Sequence, residues 1–141
     1  MAQGTLTLFE EFSKAIADGT HDLDADIFKL ALITTIPTAA DLTPALADYV
    51  EVTGSGYTAG GIALTTTWTE AAGVTDFKHT GGTIAWVKTA GGPADIRGGI
   101  IYNSTSVVTG AAMAFIGFTP DGTTPLDLSV GDIEWDPEIA L

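Results

Sequence analysis

The chain has 141 residues, 45% of them hydrophobic, a length and composition that suit one folded domain over 1–141 and exclude a disordered, solvating chain. Its net charge is -13, with five Lys plus Arg against 18 Asp plus Glu, and the scattered cations argue against binding to nucleic acid or to an anionic membrane. Cysteine is absent, which excludes disulfides, thiolate metal sites and cysteine nucleophiles.

The N-terminal residues 1–9 are predicted to be extended and to form an interaction arm. The sequence leaves open whether this arm pairs within its own fold or adds a strand to a neighbour's sheet edge. Residues 8–18 predict a short helix, and Gly19 is a plausible C-terminal cap. The apolar stripe that supports this helix consists of Leu8, Phe9, Phe12 and Ile16.

Short strands separated by glycine-bearing turns are predicted for most of the remaining chain. The segment 26–34 alternates, with Phe28, Leu30 and Leu32 on one face and Ala31 and Ile33 on the other. Further strands are predicted at 49–53, 62–69, 74–77, 83–88, 99–103, 112–118, 126–130 and 133–135, and one helical turn at 45–48. Turn signals roughly every 8 to 12 residues favour a sandwich or barrel. We therefore expect a mainly β, single-domain antiparallel β-sandwich, jelly-roll-like, with one short N-terminal helix.

Catalytic patterns are not apparent. The two histidines, His21 and His79, are the candidate bases, but no serine lies in a Gly-x-Ser-x-Gly elbow. Isolated histidines of this kind are more often structural or solvent-facing. We predict no catalytic residue, no cofactor and no enzymatic activity.

The acidic segment Asp22–Asp26 imitates the opening of a calcium loop, but Ile27 and Ile33 occupy the positions where an EF-hand needs Gly and Glu. A looser calcium site stays open as an alternative, although we predict no metal ligand. The structural interpretation is that Asp22 and Asp24 brace a turn and that Asp26 is exposed at the start of the strand.

Two further groups of residues favour structural roles. The segment 56–61 lacks the Lys-Ser/Thr ending of a phosphate loop and predicts a tight turn anchored by Tyr57. The tryptophans Trp68, Trp86 and Trp135 are typical of core or interface anchors, with a sugar-binding platform as the alternative.

The segment 19–32, GTHDLDADIFKLAL, resembles the opening of a group of small virion proteins from tailed bacteriophages. In that group a short N-terminal helix precedes a strand with the pattern G-x-H-D-x-x-x-D-x-[FL]-K-[VL]. Similar pieces follow in order at 48–52, 56–61, 99–103 and 129–133, so the likeness extends over nearly the whole chain. The chain departs from the group by lacking its longer final strand.

The resemblance implies a virion structural protein, and we favour a capsid decoration (cement) protein. Such a protein binds the major capsid protein outside the shell, often as a homotrimer, after synthesis in the bacterial cytoplasm. The alternatives are a tail, head-tail adaptor or baseplate component, and a carbohydrate- or receptor-binding module. No signal peptide or membrane-spanning run is visible in the sequence. The candidate interface residues are Thr5, Leu6, Thr7, Leu8, Phe9, Tyr57, Trp68, Trp86 and Trp135.

Overall fold

A computed structural model describes residues 6–105, 110–117, 124–135 and 138–140, with backbone only for Thr75 and 138–140. The helical elements are an α-helix, α1 (Phe12–Ala17), and a 3-10 turn at Leu46–Asp48. The described strands are β1 (Leu6–Leu8), β2 (Phe28–Ile33), β3 (Ile62–Ala63), β4 (Thr66–Ala71), β5 (Val74–His79), β6 (Ile84–Trp86), β7 (Gly98–Asn103), β8 (Ala112–Gly117), β9 (Ile133–Trp135) and β10 (Glu138–Ala140).

The largest sheet has the strand order β1-β8-β7-β2-β3, and each neighbouring pair is antiparallel. The alternation of β2 separates two apolar clusters, because successive side chains of a strand point to opposite faces. Phe28, Leu30 and Leu32 belong to the main cluster, whereas Ala31 and Ile33 belong to the second. The predicted assignment of these residues to two faces is confirmed.

Two smaller antiparallel sheets, β10-β5-β4 and β6-β9, lie against the main cluster. Phe77 of β5 packs edge-on against Phe28 of β2, with ring centroids 5.4 Å apart, and Trp86 of β6 is buried in the same cluster. One apolar cluster thus joins all three sheets in a layered, sandwich-like arrangement. The predicted mainly antiparallel β fold with one short helix is confirmed. The jelly roll is not confirmed, because the described strands form sheets of five, three and two.

Helix α1 is shorter than predicted because the apolar stripe divides between different elements. Leu8 belongs to β1, Phe9 enters the second cluster and Phe12 enters the main one. Ile16 is 37% exposed. The helix ends as expected at Gly19, whose φ of 79° is the left-handed conformation that glycine adopts at low cost.

Several strands also differ in extent from the sequence prediction. The segment 49–53 contributes only a bridge between Glu51 and Ile33, and 126–130 contributes only a bridge between Leu126 and Ile96 before turning. The segment 62–69 divides between β3 and β4. Alternation predicts an extended backbone, but a strand also needs a neighbour in register, which the local pattern does not supply.

Candidate interaction surface

The β4–β5 hairpin is the most exposed strand pair in the part of the chain that the structure describes. Its register is uninterrupted from Thr66 opposite His79 to Ala71 opposite Val74. A two-residue turn closes it, with left-handed φ values of 53° at Ala72 and 82° at Gly73. From Thr67 to Val74 every residue is exposed, so this half of the hairpin extends beyond the core.

Trp68 marks the point where the hairpin leaves the core. It lies opposite Phe77, so the two rings share one face of the sheet, but Phe77 is 3% exposed and Trp68 is 45% exposed. The indole borders an open groove of about 370 Å³ together with Ile16, Leu23 and two carboxylate residues, Asp22 and Asp24. The exposed indole and the exposed isoleucine together form an apolar surface at the mouth of this groove.

The other candidate interface residues lie in different places. Thr5 is outside the described residues. Leu6, Thr7 and Leu8 pair with β8 of the same chain, which gives the arm an intramolecular partner. Tyr57 is half-buried.

Phe9, Trp86 and Trp135 are only 2%, 4% and 2% exposed. The chain's own core covers these three side chains, which agrees with the core-anchor interpretation of Trp86 and Trp135, and an interface role for them stays a prediction. Among the tryptophans, Trp68 alone lies at the surface, and no local feature of the sequence separates it from the other two.

His21 is a structural residue in the main core. Its ring packs between Phe12 and Phe28, with ring centroids 6.5 and 5.8 Å away. One ring nitrogen accepts from Asn103, and the ring also bonds the backbone of Ala112. Burial is the main cause of a lowered pKa for His21. These contacts occupy the imidazole, although it borders a small cleft of about 110 Å³.

The second histidine also has a local structural contact. Nδ1 of His79 accepts a hydrogen bond from the backbone N–H of Thr65 at 2.9 Å. This contact lies at the base of the hairpin, where β4 begins. In the described part of the chain, no hydrogen bond joins either histidine to a serine, as a nucleophile and its base would require.

Asn103 at the end of β7 is a buried polar residue whose hydrogen bonds the sequence did not predict. It is fully buried, and its amide nitrogen donates to Asp26 at 2.5 Å. Burial tends to raise the pKa of Asp26, but hydrogen bonds from Asp22, Asn103 and Thr105 outweigh it and lower that pKa. Asp26 is half-buried, so it is less exposed than the sequence predicts. The Asn-Ser-Thr pattern at 103–105 could have drawn attention to the site, but not to its partner.

The acidic loop at Asp22–Asp26 is a braced turn. Oδ1 of Asp22 accepts from the backbone N–H groups of Asp24 and Ala25, at 3.0 and 3.1 Å. Oδ2 of Asp26 accepts from the backbone N–H of Asp22 at 2.9 Å. Within the described ranges, no three His, Cys, Asp or Glu residues are grouped so that they could hold a metal ion.

The glycine-rich turn at 56–61 is anchored by Tyr57, in agreement with the sequence interpretation. The Tyr57 hydroxyl donates to Oε1 of Glu51 at 2.5 Å and accepts from the backbone N–H of Leu32 at 3.1 Å. Burial, followed by the bond to Glu51, raises the pKa of Tyr57. A Cβ on Gly61 would collide with the carbonyl oxygen of Leu30, so the turn packs directly on β2.

None of the helices in the described part of the chain is long and apolar enough to cross a membrane. In comparisons with known proteins, no family model, curated protein or solved structure matches the chain.

Proposed function

We propose that the protein is a bacteriophage virion structural protein, and that it acts as a capsid decoration (cement) protein that binds the major capsid protein and stabilises the head. The proposal rests on the resemblance of 19–32 and the later motifs to small virion proteins. The observation that carries it is the β4–β5 hairpin, which presents Trp68 and a strand edge outside the core.

The polar groups that resemble sites support binding rather than catalysis. Asn103 forms hydrogen bonds with His21 and Asp26, and the Asp22 carboxylate accepts a hydrogen bond from the backbone of its own turn. A lattice-binding protein needs contact area, on the order of 800 Å² per partner, and no reactive centre. The net charge of -13 suits the outer face of a shell, where no DNA has to be held.

The direct test is deletion of the gene from the parent phage. We expect particles that lose infectivity faster on heating or osmotic shock, and that recover resistance when purified protein is added. The Trp68→Ala protein should restore less resistance than the wild type, and Val130→Ala, at an exposed site outside the hairpin, should restore it fully. Deletion particles of undiminished robustness would contradict the decoration role. Labelling of the wild-type protein at the tail would instead favour a tail, adaptor or baseplate component.

A carbohydrate- or receptor-binding module is the second candidate, because Trp68 borders a groove with Asp22 and Asp24. An indole ring beside carboxylates can stack on a sugar and accept its hydroxyl hydrogens. Quenching of Trp68 fluorescence by host polysaccharide, absent in Asp24→Ala, would support this function. Unchanged fluorescence would count against it.

A further inference from the structure

No described strand pairs with the outer edge of β4. β4 is the terminal strand in the order β10-β5-β4, so among the described strands it has one neighbour, β5. The backbone N–H of Thr80 donates to the carbonyl of Thr65 at 2.8 Å. Because hydrogen-bonded and non-bonded pairs alternate in an antiparallel ladder, the backbone groups of Thr66, Trp68 and Glu70 point away from β5.

Apart from the charge of Glu70, this edge lacks the features that normally protect an edge strand. The other terminal strands of the two larger sheets, β1, β3 and β10, are two or three residues long, whereas β4 has six. Its sequence, TTWTEA, contains no Pro or Lys, and its register with β5 has no bulge. A long, regular edge of this kind is a template for another strand.

We propose that the edge of β4 pairs with β4 of a second copy of this chain, antiparallel and about a two-fold axis at Trp68. The inference deepens the proposed function, since it names the self-association contact on which a decoration layer would depend. The pairing would join two three-stranded sheets into one continuous sheet. In this proposal the strand that pairs with the β4 edge belongs to a second copy of the chain and not to the capsid.

Self-complementarity of the side chains supports this register. Trp68 would face Trp68 of the second copy, and each is already opposite Phe77 of its own chain, so four aromatic rings would form one row. On the other face, Thr67 would lie opposite Thr69 of the second copy, a favourable cross-strand pair.

Charge favours the same register. Glu70 would lie opposite Thr66 of the second copy and not opposite another carboxylate. On the Thr67–Thr69 face, each row would end with Lys78 of one copy and Asp76 of the other, since these residues pair with Thr67 and Thr69. The net charge of -13 on each chain opposes association at long range, so added salt should strengthen the dimer.

The contact is isologous, because the same strand is used on both sides, and it therefore produces a dimer. The resemblance to decoration proteins implied a trimer instead. The two outcomes differ in molar mass and in which residues lie opposite each other.

Single-cysteine variants test the register directly, because the natural chain has no cysteine. Thr66→Cys and Glu70→Cys retain Trp68 and should form a disulfide when the two proteins are mixed and oxidised. Paired residues in such a ladder have Cα atoms about 5.5 Å apart, within the disulfide range. Each variant alone should fail to cross-link, since identical positions would lie roughly 14 Å apart along the two strands. Val74→Cys, on β5, is the matched control and should not cross-link.

Molar mass by light scattering gives a second readout. The wild type should approach twice the mass of one chain as concentration or salt increases, and Trp68→Lys should remain at one. Val74→Lys, an exposed substitution away from the edge, should behave as the wild type.

Equal cross-linking of each cysteine variant with itself, or a monomer at every concentration, would overturn the inference. A monomer that still protects particles would overturn the dimer alone and leave the decoration role standing. If Trp68→Lys abolished particle binding by such a monomer, the occupant of the edge would be a capsid strand. A dimer that never binds particles would instead contradict the decoration role.

Discussion

Nδ2 of Asn103 lies 3.3 Å from Nδ1 of His21, although the two residues are 82 positions apart in the sequence. Oδ1 of Asn103 accepts from the backbone N–H of Thr105 at 2.9 Å, which identifies the opposite amide atom as the nitrogen donor. Nδ1 of His21 is therefore the acceptor, a role that the neutral imidazole can fill and the protonated ring cannot. The bond fastens the loop after α1 to the end of β7.

Stability should fall as the pH decreases below about 6.5. Burial lowers the pKa of His21 in the folded protein below the value of 6.5 that applies when the chain is unfolded. The unfolded state therefore binds a proton first, so the stability is fully present above that pH and is lost below it. Urea midpoints measured from about pH 8 to pH 5 would show the decrease. His21→Gln, which does not titrate, should lose this dependence, and a wild-type slope in that variant would contradict the assignment.

Asn103→Ala should lower the free energy of unfolding by roughly 1–3 kcal/mol, because it leaves the buried acceptor on His21 without its donor and removes one of the hydrogen bonds to Asp26. Ser104→Ala is the control. Its hydroxyl makes an exposed bond to the carbonyl of Ile27, so its loss should cost about 1 kcal/mol or less. Urea denaturation measures the free energy of unfolding of both variants. Equal losses would mean that the buried hydrogen bonds of Asn103 stabilise the fold no more than one exposed hydrogen bond does.

Truncation of Trp86 should cost much more stability than truncation of Trp68. Trp86→Ala should cost about 3–5 kcal/mol because it opens a cavity in the main cluster. Trp68→Ala should cost about 1 kcal/mol or less, since nearly half of the side chain is exposed. Acrylamide should quench mainly the Trp68 fluorescence, and Trp68→Phe should remove the quenched component. Strong quenching that survives this substitution would contradict the burial of Trp86 and Trp135.

Gly61→Ala and Gly73→Ala separate steric contact from backbone strain. Both glycines have left-handed φ, 76° and 82°. A Cβ on Gly73 meets nothing within 4 Å, so that variant should lose only about 1–2 kcal/mol of strain. At Gly61 the added Cβ collides with the carbonyl of Leu30, and overpacking should add about 1–3 kcal/mol more. Thermal unfolding of the two variants compares them, and equal losses would mean that the turn can move off β2.

The sequence alone determined the mainly β character of the chain, several of its turns and the two faces of β2. The alternation in 28–33, the glycine that ends α1 and the Tyr57 turn all follow from short-range geometry that a local pattern carries. The prediction failed where an extended segment needed a neighbour, as at 49–53 and 126–130, since a strand depends on distant hydrogen bonds.

Only the tertiary structure decided which faces are covered. Phe9, Trp86 and Trp135 are buried by residues far along the chain, whereas Trp68 lies where the hairpin extends past the core. The contact between His21 and Asn103 likewise unites two polar residues that seemed unrelated in sequence. Burial depends on packing partners that are distant in the sequence. The type and spacing of side chains therefore indicate which face of a strand they share, but not which residues cover that face.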